Sequence, residues 1–299
     1  MRRLACILFV ATLASGQDSD IFERLRRSLG QQASAALAKQ DFAQIEQMLA
    51  KVPANQETLA LRGAVAFLDG RMPDCVANLE KAAPLRDSDN FTLAMALIRL
   101  GDGKRARAIL NELSGKHPAS AIYIYWLGRL DYDQRRYEEA VGRLQRASDL
   151  DPNSARIQDS LGLALDMQGR TEQAQSVLEK AAKLNRSQEK PSPWPPHDLG
   201  YLLLRMERFK EAEELLRESL RYGPGLAQTH YYLGRTLEKE DRDADAVEEY
   251  KQAISADTAS TDVCYSLAIL YRKLHRESEA EAMFGEYRKR KAAVVPAQP

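Results

Sequence analysis

A recurrence every 34 residues constrains this chain more than any other feature. From Ala121 to Ser154 the sequence reads AIYIYWLGRLDYDQRRYEEAVGRLQRASDLDPNS. Leu127-Gly128 lies in its first half; Tyr137, Ala140, Leu144 and Ala147 recur at helical spacing in its second. Leu150 closes the apolar series and Pro152 stops it. The same landmarks return in phase as Leu161-Gly162, Ala174, Leu178 and Ala181. After a four-residue slip come Leu199-Gly200, Ala212, Leu216, Ser219 and Pro224, then Leu233-Gly234, Ala246, Tyr250 and Ala253, then Leu267-Ala268, Ala280 and Phe284. Upstream stand Leu93-Ala94, Ala106, Leu110, Leu113 and Pro118, preceded at 31 residues by a looser copy with Gly63, Gly70, Cys75, Leu79 and Ala82. Each copy reads as two helices whose small residues permit close approach while larger apolar residues fill the space between them. One such unit cannot bury its own hydrophobic face, so the copies must stack on one another.

These residues resemble the tetratricopeptide repeat, a helix–turn–helix unit of this length. The tryptophan of the family pattern is displaced: Ile124 holds its usual position and Trp126 lies two residues later. The resemblance implies an all-α fold, a right-handed superhelical solenoid of antiparallel helix pairs. It divides the chain into repeats at 56–86, 87–120, 121–154, 155–188, 193–226, 227–260 and 261–291. Residues 17–55 form a degenerate first repeat that caps the array, with Asp41-Phe42 at its turn and Ile45 and Leu49 on its buried face.

The ends and the phase break carry their own signals. Arg2 and Arg3, an apolar run from Leu4 to Ala14 and small residues at 15–16 predict a secretory signal peptide over residues 1–16. A short membrane anchor is the alternative, but the run falls short of the ~20 residues a spanning helix needs. Four prolines in Pro191–Pro196 exclude helix interior, with an insert at 189–192. Pro196 suits the first residue of the next helix. The break is either a tolerated insertion or a hinge with Trp194 open to a partner. Residues 292–299 lack periodicity and read as a disordered tail.

Chemistry is mostly excluded. The chain has 43 basic and 43 acidic residues, and removing the leader takes two arginines and no acid, which gives no electrostatic case for nucleic acid. No membrane span follows the leader. Cys75 and Cys264 lie in the first and last of these repeats, too far apart in a solenoid to bridge, and read as core residues. His117, His197, His230 and His275 fall in different repeats, and no metal-binding, phosphate-loop or nucleophile motif occurs. No cofactor, metal or catalytic residue is therefore expected. The acidic pairs Glu138-Glu139, Glu213-Glu214 and Glu248-Glu249 recur at repeat spacing and mark a solvated face. Asn90 and Asn185 each begin a glycosylation sequon, a pattern of low specificity.

In the family that these repeats resemble, the first helix of each lines a concave groove through its second, fifth, ninth, twelfth and thirteenth positions. The resemblance therefore carries partner binding to Tyr125, Arg129, Tyr132, Asp159, His197, Tyr201, Arg205, Tyr231, Arg235, Tyr265 and Arg272. Tyr and Arg offer area and directed hydrogen bonds, as binding anchors do. The alternative is that the tyrosines only pack between neighbouring first helices. A lysine/asparagine carboxylate clamp of some chaperone-binding members is not implied, because Tyr125, Asp159 and Tyr231 stand where it would begin. The expectation is an exported scaffold that binds a peptide or partner protein and is not an enzyme, since the repeats leave no room for a catalytic domain of ~100 residues. An accessory subunit of a cell-envelope enzyme complex, or a self-associating scaffold, is the other reading.

Overall fold

The computed structural model describes residues 17–257 and 260–294, so the signal peptide expected over residues 1–16 and the last five residues lie outside the described part. Every regular element among the described residues is an α-helix. They divide into two compact units, the first reaching Leu130 and the second starting at Asp131.

The first unit holds α1 (Gln17–Leu29), α2 (Gln31–Ala38), α3 (Phe42–Ala50), α4 (Gln56–Leu68), α5 (Met72–Lys81), α6 (Asp87–Leu100) and α7 (Gly103–Lys116), with most of α8 (Ala121–Asp133). Ile21 and Leu25 of α1 pack into one core with Leu37, Ile45, Leu49, Leu61 and Val65. The Arg24 guanidinium is buried with them. Its Nε donates to Glu57 at 2.8 Å, and its two Nη atoms donate to the Asp89 carboxylate at 2.8 and 3.2 Å. Burial alone would lower the Arg24 pKa; the two carboxylates overcome that and raise it.

The second unit holds α9 (Tyr137–Leu150), then four helix pairs. These are α10 (Ala155–Met167) with α11 (Thr171–Arg186), α12 (Trp194–Arg205) with α13 (Phe209–Tyr222), α14 (Ala227–Lys239) with α15 (Asp243–Ala256), and α16 (Thr261–Lys273) with α17 (Glu277–Val294). The C-terminal helix thus runs to Val294, past Lys291 and into the stretch expected to be disordered.

Three of these pairs are set by a close approach at a glycine. A Cβ added at Gly162 would lie 2.5 Å from the Leu178 side chain, at Gly200 2.9 Å from Leu216, and at Gly234 2.7 Å from Tyr250. In the first unit Gly63 meets Leu79 in the same way, at 2.6 Å. These pairs are spaced alike in sequence, so one packing rule operates in both units. The tight turn inside each pair needs a left-handed residue. Gly70, Gly101 and Gly169 supply it with φ of 78°, 83° and 75°. Arg135, Glu207, Asp241 and His275 hold the same conformation near 60° at a cost of ~1 kcal/mol each.

Successive pairs are joined by polar contacts as well as by core. Arg186 on α11 forks onto the nearly buried Glu218 of α13 at 2.7 and 2.6 Å. Arg242 donates to Glu213 of the preceding pair at 2.7 Å, so this member of the acidic pairs is an inter-pair anchor rather than solvated surface. Within the α14–α15 pair, Glu249 accepts from His230 at 2.7 Å.

The proline-rich break is fastened down. Buried Asn185 donates its amide to the Ser192 carbonyl at 2.7 Å and accepts from the Ser192 N–H at 2.8 Å. That amide is enclosed and bonded on both sides, which removes Asn185 as a glycosylation acceptor in the folded chain. Pro195 and Pro196 both sit in the first turn of α12, which starts at Trp194 rather than at Pro196, where their missing N–H groups have no intrahelical acceptor to lose. Cys75 and Cys264 are buried free thiols, and burial pushes Cys75 up to about 12.

Replacing Gly162 with valine forces the α10–α11 pair apart and is expected to destabilise the protein by about 2 kcal/mol in denaturant titration. The further change Leu178→Ala makes room at that point, so the double variant should lose less than the two single losses added together.

Candidate functional site

The first helices of the last three pairs, α12, α14 and α16, carry a run of aromatic residues. Tyr201 on α12 stacks on Tyr232 of α14 with ring centroids 4.4 Å apart and planes at 22°. Tyr231 lies 5.6 Å from Tyr232 and 5.9 Å from Tyr250. The Tyr231 hydroxyl reaches Ser266 Oγ on α16 at 3.4 Å. Tyr265 of α16 leans on Tyr287 and Phe284 of α17 at 5.4 and 6.0 Å, and it remains 47% exposed. Beside it on α16, Ile269 is 41% exposed.

Arginines overlie this run. Arg205 sits over the Tyr201 ring at 5.6 Å, Arg235 over Tyr231 at 5.9 Å and Arg272 over Phe284 at 4.4 Å. Arg205 also pairs with Asp166 of α10 at 2.5 Å, and Arg272 with Glu281 at 3.1 Å. Arg205, Arg235 and Arg272 are exposed, whereas Tyr201 and Tyr231 are half-buried, with one ring face committed to a neighbour. A surface of ring edges and planar cations can hold a peptide by area, stacking and hydrogen bonding.

The remaining residues expected at this face behave differently. His197 is 3% exposed, Tyr125 4% and Asp159 8%. None of these three presents a side chain to a partner, because each is enclosed by its own fold. His197 Nδ1 shares a 2.8 Å hydrogen bond with Thr229 Oγ1 of the next first helix, and its ring lies against Trp194 and Tyr232. Tyr125 meets Trp126 edge-on at 5.2 Å. Arg129 is half-buried in the first unit. Tyr132, in the second, is half-buried with its ring edge-on to Tyr137 at 5.6 Å. Trp194 is half-buried over His197 rather than fully open.

Tyr232 was not among the expected residues, yet it is the hub of the cluster, touching His197, Tyr201 and Tyr231. Its hydroxyl accepts from Gln228 at 2.9 Å. The signal was present as the doublet Tyr231-Tyr232, one residue beyond the groove position. Tyr250, fully buried, takes the place that leucine holds in the preceding pairs. Its hydroxyl donates to Glu238 at 2.9 Å, and burial followed by that carboxylate raises its pKa.

Comparison with known proteins bears on this arrangement. The family model described as the Tetratricopeptide repeat protein 21 C-terminal ARM domain matches residues 105–283, and a tetratricopeptide repeat model matches residues 91–112. A curated relative, BBSome complex member BBS4 of Bos taurus, is 25% identical over 194 residues, covering 64% of this chain. The matched region is 36% of that relative's length, so the chain spans only about a third of it. Among solved structures, the APC/C hetero-tetramer Cut9-Hcn1 aligns with a TM-score of 0.66 at 16% identity, covering 93% of this chain and 56% of that one. PilW, described as a type IV pilus biogenesis factor, aligns with a TM-score of 0.62 at 20% identity, covering 71% and 94% respectively. Both structural likenesses concern the fold. Among the described residues no helix is long and apolar enough to cross a membrane.

Burial holds His197 well below its ordinary value of 6.5, at about 4, so the neutral imidazole is the folded form. The unfolded chain takes up that proton first. The stability His197 contributes is therefore complete above about pH 6.5 and is lost as the pH falls toward about 4, a change of about 3 kcal/mol. Denaturant titrations across this window should show the wild type losing more stability than His197→Gln. Parallel curves would show that His197 contributes nothing to the acid sensitivity.

Proposed function

This chain belongs to the tetratricopeptide-repeat family, and from that premise we propose that it is an exported, non-catalytic scaffold that binds a partner protein or peptide on its first-helix face. The observation that carries the reading is the Tyr201–Tyr231–Tyr265 run overlaid by Arg205 and Arg235. These residues keep open edges while each rests on a rigid neighbour. Pre-organised aromatic and guanidinium groups of this kind bind with little loss of side-chain entropy. A relative named as a member of a complex supports a role in assembly. The export half of the proposal rests on the charged and apolar pattern of residues 1–16.

Tyr201→Ala/Tyr231→Ala/Arg235→Ala removes ring contacts between successive first helices and is expected to lower the melting temperature, so it is assayed at a temperature where circular dichroism shows it fully folded. In parallel pull-downs from the exported fraction, the wild type is expected to retain a partner that the triple variant loses. Equal retention would move the site away from this face. N-terminal sequencing of the exported protein checks the leader: a start near Gln17 supports cleavage, and a start at Met1 opposes it.

A further inference from the structure

The cations on α14 are unusual for this chain. Arg235 and Lys239 stand four residues apart, one turn along the same face, and both are exposed. Among the described residues neither makes a hydrogen bond or an ion pair with another side chain; the Tyr231 ring is the neighbour of Arg235. Cations at comparable places on the adjoining first helices are neutralised. Arg205 meets Asp166 at 2.5 Å, Lys273 meets Asp243 at 2.8 Å, and Arg272 meets Glu281 at 3.1 Å. Arg205, Lys239 and Lys273 occupy the same position in three successive repeats, and of these three only Lys239 lacks a carboxylate.

The carboxylates of α14 and its end face other groups than these two cations. Glu238 accepts the Tyr250 hydroxyl at 2.9 Å, and Glu240 lies 3.6 Å from Arg242. Two like charges one turn apart repel each other, and among the described residues no carboxylate pairs with either. Beside them lies the apolar part of the face, the edge of Tyr231 and the exposed Tyr265 and Ile269.

We infer that the partner segment seated here is an acidic peptide, with carboxylates on Arg235 and Lys239 and an adjoining aromatic or apolar residue against Tyr231 and Tyr265. The inference rests on the binding reading given above and names the partner's chemistry. The Arg235 fork donates two parallel N–H bonds to a carboxylate, while Lys239 adds a point charge that tolerates a second acid in more than one geometry. Stacking on Tyr231 limits the freedom of the guanidinium before the ligand arrives.

A displayed library of fully randomised peptides is selected against the wild type, Arg235→Glu/Lys239→Glu and Tyr201→Ala/Tyr231→Ala, each shown by circular dichroism to be fully folded at the selection temperature. The wild type should enrich peptides with Asp or Glu next to an aromatic or large apolar residue. Charge reversal should replace those acids with Lys or Arg. A fluorescein-labelled copy of the most enriched peptide should bind the charge-reversed protein about tenfold or more weakly, as should its amide analogue to the wild type. Wild-type selection without an acidic excess, or one unchanged by charge reversal, overturns the acidic assignment; if the tyrosine variant then loses all enrichment, the binding face itself stands. No enrichment by any of the three proteins overturns both.

Discussion

In four helix pairs a residue with no side chain faces a large one on the opposite helix at close range. Gly63, Gly162, Gly200 and Gly234 leave no room for a Cβ against Leu79, Leu178, Leu216 and Tyr250. This contact sets how near the helices come, and so sets the angle at which the first helix presents its other side. Where the facing residue is Tyr250, the ring fills the same place but brings a hydroxyl that must be satisfied, and Glu238 is recruited for it. That commitment withdraws a carboxylate from the neighbourhood of Arg235.

The period, the small and large positions and the turn glycines were readable because each is local or repeats in phase. Exposure was not readable. His197, Tyr231 and Tyr265 hold the same repeat position, yet one is enclosed, one half-buried and one open. What separates them is the following element: His197 finds Thr229 and Tyr232, Tyr231 finds Ser266, and Tyr265 leans back on α17. A positional rule gives direction along the helix but not the size of what arrives opposite. The same reason hid Asp159 and Tyr125, and left Tyr232 outside the expected set.

Longer-range polar contacts were also beyond a reading of pattern. Arg24 meets partners 33 and 65 residues away, and nothing in the local sequence of α1 announces them. Once buried, a guanidinium must be matched closely, since an uncompensated charge inside a protein is strongly destabilising. The pairing with Glu57 and Asp89 therefore fixes the place of α1 against α4 and α6 more narrowly than its apolar residues could. Asn185 does comparable work in the second unit, closing the proline-rich break onto itself so that the phase slip is absorbed within one loop.

The links Arg186–Glu218, His197–Thr229 and Glu213–Arg242 each join one pair of the second unit to the next. Cohesion in such a stack is shared out along its length instead of being lodged at a centre. A duplication of one pair would need to satisfy only its two flanks, which makes lengthening the array a small evolutionary step. Tension applied along the stack would meet a series of similar, separately yielding joints, giving the second unit the mechanics of a chain of clasps rather than of a single knot.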